Sequence, residues 1–186
     1  TFSQNYIEDT FAKYPKITHA LIALFYAKFD PQHAANNIQK TADIQTTILS
    51  LLDDVTNLDE DKILRRYVDL INATVRTNYF QKQANGNPKP YIAFKFDPTL
   101  IPELPLPRPM FEVWVYAPYV EGIHLRSSKV ARGGLRWSDR QEDFRTEVLG
   151  LMKAQKVKNA VIVPSGAKGG FVPKLLPQTD NRDLIM

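Results

Sequence analysis

The sequence predicts an α/β chain: a helical N-terminal layer, then a mixed β-sheet with flanking helices. Three observations predict it. Apolar residues recur at helical spacing from Ile17 to Asn78. β-prone runs punctuated by prolines and glycines follow between Tyr91 and Leu125. Near the end, a helical stretch feeds a short apolar run and a glycine-rich turn, which is the alternation of an α/β unit.

In order along the chain, Pro15 sets a helix start, and Ile17, Ala20, Leu21, Leu24 and Ala27 give it one apolar side. Phe29-Asp30-Pro31 breaks that helix. A second is expected from about His33 to Val55, striped by Ile38, Ala42, Ile44, Ile48, Leu51 and Leu52. A third begins near Asp59, whose acidic first turn Asp59-Glu60-Asp61 complements the helix dipole. Its period runs through Ile63, Leu64, Tyr67, Val68, Ile71, Thr74, Val75 and Asn78. These helices read first as a packed layer without chemistry.

Gln83 to Pro90 is a polar loop, and Tyr91 to Phe96 is a strand with Tyr91, Ala93 and Lys95 on one face. Pro98, Pro102, Pro105, Pro107 and Pro109 exclude a helix or central strand between them and predict an extended surface connector. Phe111 to Tyr116 is a strand, with Gly122 to Leu125 pairing beside it. After Arg132-Gly133-Gly134-Leu135-Arg136-Trp137, Ser138 is the expected N-cap of a helix from about Asp139 to Val157. Ala160 to Val163 then reads as a short buried strand, and Gly166 to Phe171 as a turn.

Composition narrows the function. There is no cysteine, hence no disulfide framework and no thiolate metal site, and the expected location is the reducing cytoplasm. No apolar run reaches the roughly 18 residues of a membrane span, and no secretory pattern opens the chain. Thr1 at the start, and the end at Met186 without a stop signal, suggest a piece of a longer polypeptide. The net charge of +4 is uneven, since Arg126 to Lys174 holds 11 basic against 4 acidic residues. A focused positive field attracts anions.

Within that region stand Lys153, Lys156 and Lys168, the last inside Gly166-Ala167-Lys168-Gly169-Gly170. Glycine lets a backbone approach a ligand closely. A lysine crowded by other cations can serve as a base, because its charged form is disfavoured there. Helix spacing puts Lys153 and Lys156 on one face. The following strand can return Lys168 to Lys156, with the Gly133-Gly134 turn offering backbone N–H groups. On spacing alone, the lysines read first as solvated helix lysines and the glycines as plain turns. A Walker A loop is absent, because Gly169 follows the lysine and Ile162 occupies the first glycine position. A G-x-G-x-x-G cradle fails too, because Lys168 takes the second glycine position. His19, His33 and His124 have no ligand spacing, so no metal is expected.

The run Arg132 to Trp137, Glu147, Lys156 and Gly166 to Gly170 resembles the substrate domain of glutamate dehydrogenases. Lys129 to Lys158, with Asp143-Phe144-Arg145-Thr146-Glu147-Val148-Leu149-Gly150-Leu151-Met152-Lys153, is similar more narrowly to the large bacterial NAD-specific class. So are Leu58 to Phe80 and Leu104 to Pro109. The resemblance covers about Leu58 to Lys174 and implies a substrate-domain fold of the amino-acid dehydrogenase type over residues 58–186. Residues 1–57 are then a helical N-terminal segment.

The resemblance implies oxidative deamination of L-glutamate to 2-oxoglutarate and ammonia, with NAD as hydride acceptor. By it Lys168 is the catalytic lysine that activates water, and Lys156 holds the α-carboxylate. Lys153 stands where smaller relatives carry glutamine. Arg132 stands where many carry a lysine for the side-chain carboxylate, with Lys129 as the alternative. Gly133, Gly134 and Gly166 complete the substrate site. The cofactor domain is expected outside this chain, so the piece alone should neither bind NAD nor turn over, and the whole enzyme should be a homo-oligomer. A dehydrogenase of an apolar amino acid would waste the cations at Arg132 and Lys153. A polyanion-binding module lacks any nucleic-acid signature, and its acidic residues Asp139, Glu142, Asp143 and Glu147 interrupt the basic field. A fourth reading makes the N-terminal helices an oligomerisation or regulatory surface.

Overall fold

The computed structural model describes residues 2–32, 37–129, 133–158 and 166–176. The chain divides into two compact units, residues 1–74 and 75–186. The first is helical: α1 (Gln4–Lys13), α2 (Pro15–Phe29), α3 (Asn37–Leu52) and α4 (Leu58–Ala73). Ser3 caps α1 by accepting from the Tyr6 N–H, and Pro15 occupies the first turn of α2. Asn57 caps α4 through the Asp59 and Glu60 N–H groups. The apolar stripes meet in one cluster of Ile17, Leu21, Leu24, Ile48, Leu52 and Leu64.

Polar contacts fasten the same unit. Glu60, buried on α4, accepts from Lys13 Nζ at 2.7 and 2.8 Å and from the Tyr14 hydroxyl at 2.7 Å. Those hydrogen bonds, Lys13 first, hold its carboxyl below the usual range. Lys28 donates to the Ile71 and Asn72 carbonyls at 2.8 and 2.6 Å, which supplies the last turn of α4 with the cation its own sequence lacks.

One helix is added to the expected layer and one is shortened. Residues 4–13 form a helix that the apolar pattern does not announce, because among its described positions only Thr10 is buried. The α4 period was expected to continue to Asn78, yet the helix ends at Ala73 and β1 (Thr74–Thr77) begins. Thr74, Val75 and Thr77 are β-branched and favour the strand once a sheet is there to receive them.

The second unit holds a mixed sheet of β1, β2 (Ile92–Phe96), β3 (Phe111–Ala117), β4 (Val120–Arg126), β5 (Leu135–Trp137) and β6 (Ala167–Pro173). The order is β1-β2-β3-β4-β6-β5. β2 to β4 and β6 pair antiparallel, and β5 joins β6 in parallel. The proline segment makes a 3₁₀ turn at Pro98–Leu100 and a connector with Pro98, Ile101 and Pro109 buried. Helix α5 (Phe144–Lys158) covers β4 and β6 through Ile123, Leu125, Phe144, Val148, Leu149, Met152 and Val172.

Two further expectations are corrected here. Ser138 does not cap α5, which starts at Phe144. It is buried, and its hydroxyl donates to Glu147 at 2.6 Å. The glycine-rich segment around Lys168 is not a turn but strand β6, because ladder bonds on both sides outweigh the low strand preference of glycine. The expected strand at Ala160 to Val163 lies outside the described residues.

Candidate active site

Register fixes the side on which Lys168 stands. On β6 it lies opposite Leu125 of β4, and directly opposed residues share a face. Leu125 is fully buried in the cluster under α5. Lys168, half-buried, is therefore on the α5 side of the sheet. Gly170, two residues on, is on the same side, and Val148 of α5 packs against it.

The other end of α5 meets the other end of this strand. A Cβ on Gly166 would stand 3.0 Å from the Gln155 Cγ and 3.5 Å from the Lys156 amide nitrogen. So α5 runs opposite to β6. Its Lys156 turn lies at Gly166, its Val148 turn at Gly170, and Lys168 falls between. Lys153 and Lys156 are exposed on α5.

A third segment closes in from the far side of β6. Gly133, at φ +155°, lies against the Ala167 carbonyl so closely that a Cβ there would overlap it. The Gly134 carbonyl accepts from the Gly169 N–H at 3.2 Å. Gly134 thus gives the sheet its carbonyl rather than only offering an N–H group. Among the described residues, Gly133, Gly134, Gly166, Lys156 and Lys168 converge on the first half of β6. Lys153 lies one turn back along α5. Arg132 lies outside the described residues.

Charge pairing sorts the cations of this unit. Arg145 holds Glu112 bidentately at 2.9 and 2.7 Å, pinning α5 to β3. Arg136 meets Glu147 at 3.1 Å, Lys174 meets Glu121 at 3.0 Å, and Arg140 pairs with Asp143. The Arg140 partner holds the Asp143 carboxyl below its ordinary value. Burial, and then the nearby Arg126, push His124 below the usual histidine range. Lys153, Lys156 and Lys168 are in no ion pair with a described acid. Three ammonium groups without local acids suit a ligand that brings its own carboxylates.

Sequence reasoning missed the supports of this site. Ser127, Glu112 and Arg145 carry no local signal, because their partners lie 33 to 39 residues away. Arg145 and Glu147 entered through the resemblance, and Glu147 also as an acid within the basic field. No dinucleotide cradle is formed by these residues. Among the described elements α5 is the only helix that follows a strand, and Asp139, Glu142 and Asp143 stand before its first turn. Acids at that end repel a pyrophosphate rather than hold one.

Comparison with known proteins gives two family matches. The profile described as "Bacterial NAD-glutamate dehydrogenase, catalytic domain" matches residues 47–186. "Glutamate dehydrogenase, helical motif 3" matches residues 1–31, the stretch for which the sequence alone offered no likeness. Similar curated proteins include the NAD-specific glutamate dehydrogenase of Pseudomonas aeruginosa, 55% identical over 99% of this chain and 12% of its own length. Those of Halomonas elongata and Mycobacterium tuberculosis are 54% and 50% identical over 97% and 95% of this chain, each over 11% of the relative. The chain thus spans about a tenth of the length of these relatives.

Proposed function

The chain belongs to the bacterial NAD-glutamate dehydrogenase catalytic-domain family, and from that premise we propose that it forms the substrate side of a site that oxidatively deaminates L-glutamate. The observation that carries this reading is the convergence of the Gly133-Gly134 segment, the Lys156 turn of α5 and the Lys168 strand. Three lysines that pair with no described acid suit the two carboxylates of one small substrate. In this reading Lys156 holds the α-carboxylate, with Lys153 beside it. Arg132 takes the side-chain carboxylate, where a guanidinium can bind bidentately. Gly133 and Gly166 let their neighbours close on the start of β6, where a Cβ would meet the Ala167 carbonyl and Gln155, and Gly134 leaves the space beside it open.

Lys168 is the base. Once a nicotinamide has taken the C2 hydride of glutamate, as NAD would when bound, Lys168 accepts a proton from the water whose oxygen bonds to C2 of the iminium. It then returns that proton to the amine nitrogen, the C–N bond breaks, and ammonia leaves as the hydroxyl loses its proton to solvent and becomes the carbonyl. NAD, named by the relatives, has no cradle among the described residues. In the same reading the complete enzyme is a cytoplasmic homo-oligomer. The cysteine-free composition fits a reducing compartment, and light scattering on the complete enzyme tests its assembly. No described helix is long and apolar enough to cross a membrane.

The test is Lys168→Ala in the complete enzyme, with glutamate turnover followed by NADH absorbance. General-base catalysis contributes about 10²–10⁴-fold, and a fall in kcat of that order is expected. Unchanged kcat would remove Lys168 from the chemistry and the reading with it.

A further inference from the structure

Ser127, just past the end of β4, makes three hydrogen bonds to a single residue of the site. Its backbone N–H donates to the Gly166 carbonyl at 2.9 Å. Its hydroxyl lies 2.7 Å from that same carbonyl and accepts from the Gly166 N–H at 2.7 Å. Both backbone polar groups of Gly166 are therefore tied to Ser127. The hydroxyl bond to the Gly166 N–H lies where β6 starts.

Gly166 is also where the Lys156 turn of α5 approaches the start of β6. It is buried, with its missing side chain facing Gln155 and the Lys156 amide. From Gly166 the strand runs two residues to Lys168. On the far side of the strand, Gly133 lies on the Ala167 carbonyl and Gly134 accepts from Gly169. The peptide next to Lys168 is thus held from one side by the Gly133-Gly134 segment and from the other by Ser127.

We propose that Ser127 is a positioning residue for Lys168: its hydroxyl fixes the Gly166 peptide and so sets where the Lys168 strand begins relative to the Lys156 turn of α5. This rests on the reading of Lys168 as the base and adds a residue to it. The two lysines are anchored unequally. Helix α5 keeps its place through Phe144, Val148, Leu149 and Met152 in the core and through the Arg145–Glu112 pair, whatever occupies position 127. The start of β6 buries only the small side chain of Ala167 and is held chiefly by backbone bonds, to β4, to the Gly133-Gly134 segment and, at Gly166, to Ser127. Loss of the Ser127 hydroxyl therefore displaces Lys168 more than Lys156. Displacement by about 1 Å at a reacting group costs on the order of 10²-fold in rate.

The experiment compares Ser127→Ala, Ser127→Thr and Lys168→Ala in the complete enzyme, measuring kcat and KM for glutamate together with the unfolding midpoint. Ser127→Ala is expected to lower kcat about 10- to 100-fold with KM for glutamate within about threefold, since Lys156 stays in place. Ser127→Thr, which keeps the hydroxyl, is expected to restore most of kcat. The split between kcat and KM and the rescue by threonine are effects that a merely structural serine would not produce. A Ser127→Ala enzyme with wild-type kcat overturns the proposal. So does a threonine variant as slow as the alanine variant, or a rise in KM equal to the fall in kcat. If Lys168→Ala itself turns over normally, the reading of the site has failed. If Lys168→Ala is inactive while Ser127→Ala is normal, only the role of Ser127 has.

Discussion

Gly170→Ala tests whether the site depends on how closely α5 approaches β6. A Cβ at this position would stand 2.5 Å from Val148 Cγ2 and 3.9 Å from Phe144 Cδ2. Carbon atoms rest at about 3.5–4.0 Å, so the Val148 contact must open by about 1 Å. Val148 has little freedom to turn away, because a valine in a helix keeps one rotamer about 90% of the time. The helix must shift instead, against the cluster of Ile123, Leu125, Leu149, Met152 and Val172. Overpacking of this kind costs about 1–3 kcal/mol. Alanine recovers about 0.4–1 kcal/mol by restricting the unfolded chain. The expected net loss is about 1–2 kcal/mol, read as a lower urea midpoint at unchanged m-value. Val148→Ala empties the space that the new methyl needs. In that background Gly170→Ala should cost at least about 1 kcal/mol less, the coupling expected of residues in contact. Equal cost in both backgrounds, or a wild-type midpoint for Gly170→Ala, would refute the close-approach argument.

Two further outcomes follow from the helical unit. Lys28→Met keeps the stem but removes the donor from the Ile71 and Asn72 carbonyls, and should lower the urea midpoint by the equivalent of about 1–3 kcal/mol; a wild-type midpoint would show that water replaces the ammonium there. Glu60 has its folded pKa depressed by Lys13 and Tyr14, so its contribution is present above the unfolded value of 4.5 and is lost as pH falls through the folded one. Lys13 and Tyr14, both raised by Glu60, contribute below their unfolded values of 10.5 and 10.0 and lose that contribution as pH rises through the folded ones. Helical circular dichroism in urea should therefore show a stability plateau bounded by these two losses, and Glu60→Gln should weaken its dependence at both ends; an unaltered profile in that variant would sink the assignment.

What the sequence made legible was local. The stripes of α2 and α4 fell where Ile17, Leu21, Leu24, Ile63 and Leu64 predict, because a 3.6-residue period needs only neighbours along the chain. Thr74 to Thr77 was misread because the same residues satisfy a helical period and a β-strand, and only the presence of β2 decides. The glycine-rich strand was misread for a related reason. Low strand preference at Gly166, Gly169 and Gly170 says turn, and nothing local says that α5 packs on the first and third while β4 and β5 crowd the second. The lysines of the candidate site could be grouped from the sequence because Lys153 and Lys156 lie on one helix and Lys168 on the next strand. Ser127 and Gly166, 39 residues apart, were not.

Of the two readings of the lysine spacing, the glycines rather than the lysines favour one. Solvated helix lysines would be exposed, and Lys153 and Lys156 are exposed, so exposure does not discriminate. Plain turns, however, would place glycine where φ is positive and leave space around it. Gly86 does so, at φ +82° with nothing within 4 Å. Gly166, Gly169 and Gly170 do the opposite. Each lies in β6 or at its start, is buried, and would press a Cβ into a neighbour: Gln155 at 3.0 Å, the Ile123 carbonyl at 3.1 Å and Val148 at 2.5 Å. These glycines let α5, β4 and the Gly133-Gly134 segment crowd one strand, and that strand carries one charged residue, Lys168. Crowding that narrows access to a single half-buried lysine has no value for a solvated surface. It has value where the lysine must be held within a fraction of an ångström of a substrate, and where the lysines nearby leave their charge for that substrate to neutralise.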